Sequence, residues 1–154
     1  MMSEPRDVRD LYQDMILEHS KKPRNFRSLP QANRKAEGYN PLCGDHFTVF
    51  LQLENDAVKD ISFEGSGCAI SKASASMMTA SLKGKTKSQA QELFARFHRL
   101  VTSQATEAHD GVDIGKLVVF SGVSEFPVRV KCATLAWHTM LAALEEKSDT
   151  VSTE

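Results

Sequence analysis

The sequence predicts an α+β domain in which a short antiparallel sheet is followed by several helices. Two patterns carry this reading. Phe47, Val49, Leu51 and Leu53 alternate with Thr48, Gln52 and Glu54, the period of a half-buried strand. After a turn at Asn55-Asp56, Ile61 and Phe63 give a second strand its inward face, and apolar residues recur at helical spacing on both sides of this hairpin. Size and composition agree with a folded domain: 154 residues, 41% hydrophobic and 25% charged. A chain of this length buries about 68–70% of its unfolded surface, enough for a core without disulfide staples. This composition excludes collagen-like repeats and intrinsic disorder.

The elements follow in order. Pro5 suits the first position of a helix, and Val8, Leu11, Tyr12, Met15 and Ile16 form one buried stripe that Lys21-Lys22-Pro23 ends. Residues 23–42, with Pro23, Pro30, Gly38 and Pro41, read as an extended connection into the sheet. After the hairpin, Gly65-Ser66-Gly67 leads into a helix of small residues from about Ala69 to Lys83, stopped by Gly84. Thr86 and Gln89 form a capping box for a helix with Ala90, Leu93, Phe94, Phe97 and Val101 on one face. Residues 105–113 read as a loop. Lys116–Phe120 is ambiguous, since Val118-Val119-Phe120 favours a strand while its length and flanks suit a short helix. Pro127 opens the last helix, expected to run to about Lys147. Residues 1–147 are expected to form one domain, and Ser148–Glu154 a polar, mobile tail.

Charge and targeting features narrow the function. Nineteen basic and twenty acidic residues give a net charge of −1, so no broad positive field is available for a nucleic acid or an anionic membrane. No run of 18 apolar residues reads as a membrane span, and Met1–Asp7 contains no apolar signal core. A cytoplasmic protein is expected. Three well-separated cysteines do not make a secreted disulfide framework, and reduced thiols of this kind serve as metal ligands, nucleophiles or buried apolar groups.

The three cysteines differ in setting. Cys43-Gly44-Asp45 lies where the connection meets the first strand, and its spacing can aim a thiolate and a carboxylate at one point. Cys68 starts a helix, where unpaired amides and the helix dipole favour its thiolate. Cys132 falls inside the last helix, on the face of Val128, Leu135 and Ala136, with Arg129 and Lys131 nearby. If these segments converge, three thiolates and a carboxylate make a tetrahedral site suited to zinc. Spacing alone leaves this open. There is no Cys-x-x-Cys pair, and the plain alternative has Cys132 as a core residue and Cys68 as a helix-cap neighbour.

Three segments, each around one cysteine, resemble the signatures of the IscU/SufU family, whose members serve iron–sulfur cluster assembly. They are Tyr39–Asp45; Gly65–Ser71 with Ala73–Thr79; and Phe126–Leu135. The opening helix and Lys22-Pro23-Arg24-Asn25 extend the likeness over roughly residues 7–146. Lys131 stands where IscU-type scaffolds have a histidine, and Glu125-Phe126-Pro127-Val128-Arg129 where they carry Leu-Pro-Pro-Val-Lys. Thr86–Gly111 matches an extra segment of SufU-type proteins, so the resemblance points to that branch. Lys116–Phe120 departs from it, being more strand-like than the family's helical sequence.

The resemblance implies a three-stranded antiparallel sheet packed against several helices, and a zinc site of Cys43, Asp45, Cys68 and Cys132. It also implies a sulfurtransferase that takes persulfide sulfur onto Cys43 from a SufS-type, pyridoxal-phosphate-dependent cysteine desulfurase and passes it toward iron–sulfur scaffold proteins. In the family the zinc geometry changes when that partner docks. Two other readings are an IscU-like scaffold holding a transient iron–sulfur cluster, and a zinc-stabilised binding module without transfer chemistry.

Other residues have plainer alternatives. Asp45 reads as a ligand against an ordinary turn aspartate. Arg129 either steers a persulfide or contacts the desulfurase, or is a solvated helix residue, and Lys131 reads as surface. His46 neighbours Asp45, but strand alternation sends it to the opposite face. His19, His98, His109 and His138 read as surface or helix-flank residues, Met77-Met78 and Phe94/Phe97 as core, and Arg96, His98 and Arg99 as a solvated face.

Overall fold

Alternating residues become the inward face of a sheet in the computed structural model, which describes residues 8–102, 114–145 and 151–152. The elements run α1 (Val8–Lys21), β1 (Arg34–Asn40), β2 (Asp45–Glu54), β3 (Ala57–Ser66), α2 (Ala69–Leu82), α3 (Lys87–Thr102), a 3-10 helix (Gly115–Glu125), α4 (Pro127–Leu144) and β4 (Val151–Ser152). β2 and β3 form the expected hairpin, paired from His46↔Ser66 to Glu54↔Ala57. Asn55 and Asp56 join them with φ of 54° and 63°. Two successive left-handed residues give the tight turn whose twist matches paired strands, and Asn and Asp tolerate that conformation.

The connection expected over residues 23–42 contains a strand. β1 pairs antiparallel with β2 from Arg34↔Leu51 to Asn40↔Asp45, completing a three-stranded antiparallel sheet in the order β3-β2-β1. Its inward residues are Ala36, Gly38 and Asn40, small or polar because α4 lies directly on them. A Cβ at Gly38 would collide with Thr139 and Leu135 of α4. Val151–Ser152, inside the segment expected to be a polar tail, lies parallel to Gly38–Tyr39 at the edge of β1.

The helices cover one face of the sheet. α2 is buried almost throughout, and its Ser71, Ala73, Ser74, Ala75 and Ser76 let α1 and α4 approach closely. Its buried hydroxyls are hydrogen-bonded, as burial requires. Ser74 donates to Ala133 O and accepts from Trp137 Nε1, while Ser76 Oγ accepts from Arg24 N and shares a hydrogen with His19 Nδ1. The capping box of α3 forms as read: Thr86 N donates to Gln89 Oε1 at 2.9 Å, and Gln89 N to Thr86 Oγ1 at 3.1 Å. Phe97 of α3 stacks on Trp137 of α4 at 4.6 Å and meets Phe120 edge-on at 5.6 Å, tying three helical elements together.

Several expectations shift. Gly115–Glu125 is helical, so the strand alternative for Lys116–Phe120 fails; buried Leu117, Phe120 and Val123 recur every third residue, the period of a 3-10 helix. α4 ends at Leu144, and residues 146–147 lie outside the described residues. Val128 is exposed although Cys132 is buried, because the first turn of α4 projects beyond the core. Leu11, expected on the buried stripe of α1, is exposed as well, while Ile16 is buried. His98 and Phe94 are half-buried and form a ring cluster with His138, rather than leaving His98 on a solvated face. Pro5, residues 105–113 and His109 lie outside the described residues. Among the described residues, no helix is long and apolar enough to cross a membrane.

Candidate metal centre

α4 packs on β1 and β2, and α2 on α4, which brings Cys132 to Cys43 and Asp45 and sets the start of α2, at Cys68, beside them. Asp45 is the first residue of β2, and the alternation that turns Phe47, Val49 and Leu51 inward turns Asp45 inward too. Its side chain is fully buried. A buried carboxylate needs partners, and Oδ1 accepts the Cys68 backbone N–H at 2.9 Å. Gly67 makes this possible, since a Cβ there would lie 2.8 Å from Asp45 Oδ1 and 2.9 Å from the Phe47 ring.

Cys68 is the N-cap of α2, with φ −72° and ψ 171°. Its Sγ accepts the Ser71 backbone N–H at 3.5 Å. Cys132 is buried in α4. Cys43 sits half-buried in the turn between β1 and β2, which closes through Gly44 at φ 73°, a left-handed conformation suited to glycine. Cys43 Sγ lies 3.2 Å from Cys132 Sγ. Donor atoms of Cys43, Asp45 and Cys132 all fall within 4.8 Å of one another. The Cys68 sulfur is not in that compact group; Cys68 meets it through its backbone N–H on Asp45 Oδ1.

The thiols differ in acidity for identifiable reasons. The hydrogen bond from Cys132, helped by the Ser71 amide and hydroxyl, lowers the Cys68 pKa from 9.0 to about 5 against the opposing effects of burial and the Asp45 charge. Cys132 moves the opposite way, because it donates that hydrogen bond, is buried and neighbours Cys43. The helix-start amide contributes to the acidity of Cys68, as the sequence indicates, but the larger cause is a long-range partner that spacing does not reveal. Arg129 reaches the same group: its hydrogen bond with Cys132 and the nearby thiolate charges raise its pKa, although the side chain is exposed.

His46 stands apart, exposed on the other face of β2 and paired with Glu37 at 3.1 Å. His19 and His138 are held below their ordinary pKa chiefly by burial, with Arg24 and His98 respectively adding to the effect. Met77 and Met78 are core residues. One participant went unrecognised in the sequence. Asn40 is fully buried, and its Nδ2 lies 3.5 Å from Asp45 Oδ2 and 3.6 Å from Cys132 Sγ. The alternation of Ala36, Gly38 and Asn40 would have pointed inward had β1 been read as a strand.

Two thiols and a carboxylate, those of Cys43, Cys132 and Asp45, lie close enough to share one ion, a donor set suited to a divalent ion with affinity for sulfur such as zinc. The chemistry of this donor set, with a carboxylate already fixed by hydrogen bonds, is what such a site requires.

Residues 11–146 match the NifU-like N-terminal domain. The chain is 40% identical over 139 residues to a zinc-dependent sulfurtransferase SufU of Bacillus subtilis (strain 168), covering 90% of this chain and 92% of that one. It is 35% identical over 139 residues to an iron–sulfur cluster assembly scaffold protein IscU of Streptococcus pyogenes serotype M1, covering 90% and 86%. Its fold superposes with a TM-score of 0.79 and 33% identity on a solved structure described as a SUF-system iron–sulfur cluster assembly scaffold protein from Fervidobacterium islandicum AW-1, covering 90% and 99%. With the family match spanning most of its length and three signature segments meeting at one point, the chain belongs to the NifU-like N-terminal domain family, that of the IscU and SufU proteins.

Proposed function

We propose that this protein works in iron–sulfur cluster assembly as a zinc-dependent sulfurtransferase, accepting persulfide sulfur from a cysteine desulfurase of the SufS type at Cys43. The observation that carries this reading is the unequal burial of the two neighbouring sulfurs. Cys132 Sγ is enclosed, whereas Cys43 Sγ, 3.2 Å away, is on a half-buried turn residue. Leu42 and Phe126, beside the turn and at the start of α4, are 59% and 60% exposed, apolar surface of the kind that protein partners cover.

Cys43, Asp45, Cys68 and Cys132 would hold the ion. When bound, zinc keeps coordinating thiols deprotonated at neutral pH and dampens the nucleophilicity of a bound thiolate. The other steps belong to the chain. Movement of the Pro41–Gly44 turn takes the Cys43 sulfur away from Asp45, Cys68 and Cys132, which stay on the sheet and helices. The Cys43 thiolate then attacks the outer sulfur of the donor's persulfide. A new S–S bond forms on Cys43, the donor's S–S bond breaks, and the donor cysteine leaves as a thiolate. The exchange is isoelectronic and needs no outside oxidant or reductant. Arg129, within reach of these sulfurs, stabilises the negative charge that moves among them.

The test is cysteine turnover by a SufS-type desulfurase, with and without this protein. Stimulation by the wild type that disappears with Cys43→Ala supports transfer; no stimulation by the zinc-loaded wild type removes it. A second reading, an IscU-like scaffold for a transient cluster, draws on relatives such as the Streptococcus pyogenes protein. Lys131, where a scaffold would offer a histidine, weighs against it. A brown protein carrying iron and sulfide after reconstitution would favour it.

A further inference from the structure

We propose that Asn40 is the positioning residue of this site, a single buried carboxamide that holds the Cys43 turn and braces Asp45 and Cys132 together. The proposal rests on the reading of Cys43, Asp45, Cys68 and Cys132 as a metal-binding set.

Asn40 ends β1 directly opposite Asp45, and its side chain is fully buried. A primary amide offers two N–H donors and a carbonyl acceptor, and burying it is costly unless they find partners. Those of Asn40 all go to the site. Oδ1 accepts the Leu42 N–H at 3.2 Å. Nδ2 faces Asp45 Oδ2 at 3.5 Å and Cys132 Sγ at 3.6 Å. The backbone carbonyl of the same residue accepts the Cys43 N–H at 3.3 Å and the Gly44 N–H at 2.8 Å. Three successive residues of the turn therefore donate their backbone hydrogens to residue 40.

Two consequences follow from this geometry. The Asp45 carboxylate is gripped at both oxygens, by Cys68 N at Oδ1 and by Asn40 Nδ2 at Oδ2, which fixes the plane it presents to the thiols. The turn is fastened to the same residue by three backbone hydrogens, so Asn40 also sets where the Cys43 sulfur lies relative to Asp45 and Cys132. An asparagine serving only as a turn former would use Oδ1 alone, an interaction that serine imitates. The donor side of the amide has no such substitute, and it separates a positioning role from a merely structural one.

The experiment measures zinc affinity of the full chain by competition with a chromophoric chelator, and the visible spectrum of the cobalt(II) form, for wild type, Asn40→Ser and Asn40→Ala. Far-UV circular dichroism and thermal unfolding report whether each variant folds. Outer-shell partners of a metal typically contribute about 10–100-fold in affinity, and a loss of that size is expected in both variants, with shifted cobalt d–d bands. Should Asn40→Ala not fold, Asn40→Ser carries the comparison, because it retains an acceptor for the Leu42 N–H. A folded Asn40→Ser with wild-type affinity and unchanged bands overturns the assignment of Asn40 while leaving the metal site standing. A wild type that binds neither ion through thiolate overturns the site itself, and the assignment with it.

Discussion

Cys43 and Cys132 lie 3.2 Å apart, yet the chain holds them by opposite means. Cys132 belongs to a framework: it is buried in α4 and accepts from Asn40. The same helix carries Trp137, stacked on Phe97 in the core. Cys43 belongs to a four-residue turn, half-buried, whose backbone hydrogens converge on one residue. On the proposed reading, the buried helix sulfur is the one that keeps its place and the half-buried turn sulfur the one a partner can reach.

The contrast can be broken most strongly from the framework side. Phe97 is fully buried between Trp137 and Phe120, so Phe97→Ala should cost about 3–5 kcal/mol of stability by denaturant unfolding. A loss under 1 kcal/mol would show that the helices hold α4 without it. Next comes Asp45→Ala. Structural zinc sites supply roughly 10–16 kcal/mol, so one of four ligands is worth about 2.5–4 kcal/mol, or roughly 10²–10³ in affinity. Chelator competition measures it, and unchanged affinity would remove Asp45 from the ligand set.

The acidity of Cys68 gives a third test, made on chelator-treated protein. A thiol with its pKa lowered is a thiolate above that pKa, so alkylation of Cys68 should rise through pH 5 and be nearly complete by pH 7. Cys132, shifted the other way, should stay unreactive across that range. Cys132→Ala removes the largest cause of the Cys68 shift and should move its alkylation profile to higher pH. The smallest effect belongs to the turn. Leu42 is 59% exposed, and Leu42→Ser should change stability by less than about 0.5 kcal/mol in thermal unfolding. A large loss would mean that the turn is part of the core after all.

The sequence carried the local features of this fold better than its assembly. The Thr86–Gln89 capping box, the Asn55-Asp56 turn and the helix start at Cys68 are each decided by residues a few positions apart, and each is found where the sequence indicates. β1 was hidden because Arg34-Lys35-Ala36-Glu37-Gly38-Tyr39-Asn40 contains one residue that favours strands, and its inward positions are dictated by the closeness of α4. Asn40 was hidden with it. The convergence of Cys43, Cys68 and Cys132 was not legible from spacing, since it depends on how α2 and α4 pack against the sheet, and only resemblance anticipated it. The sequence does not decide between two roles for Arg129 for the same reason: its reach to Cys132 depends on the side chain's path, not on its place in the helix.

On the proposed reading Cys43 alone accepts sulfur, while Cys68 and Cys132 hold the site. Peptide-mapped mass spectrometry after incubation with a SufS-type desulfurase and cysteine, with persulfides trapped by alkylation, tests it most directly. An additional sulfur is expected on Cys43, none on Cys68 or Cys132, and none anywhere in Cys43→Ala. A persulfide on Cys68 or Cys132 in the wild type, or its persistence on the chain without Cys43, would contradict it.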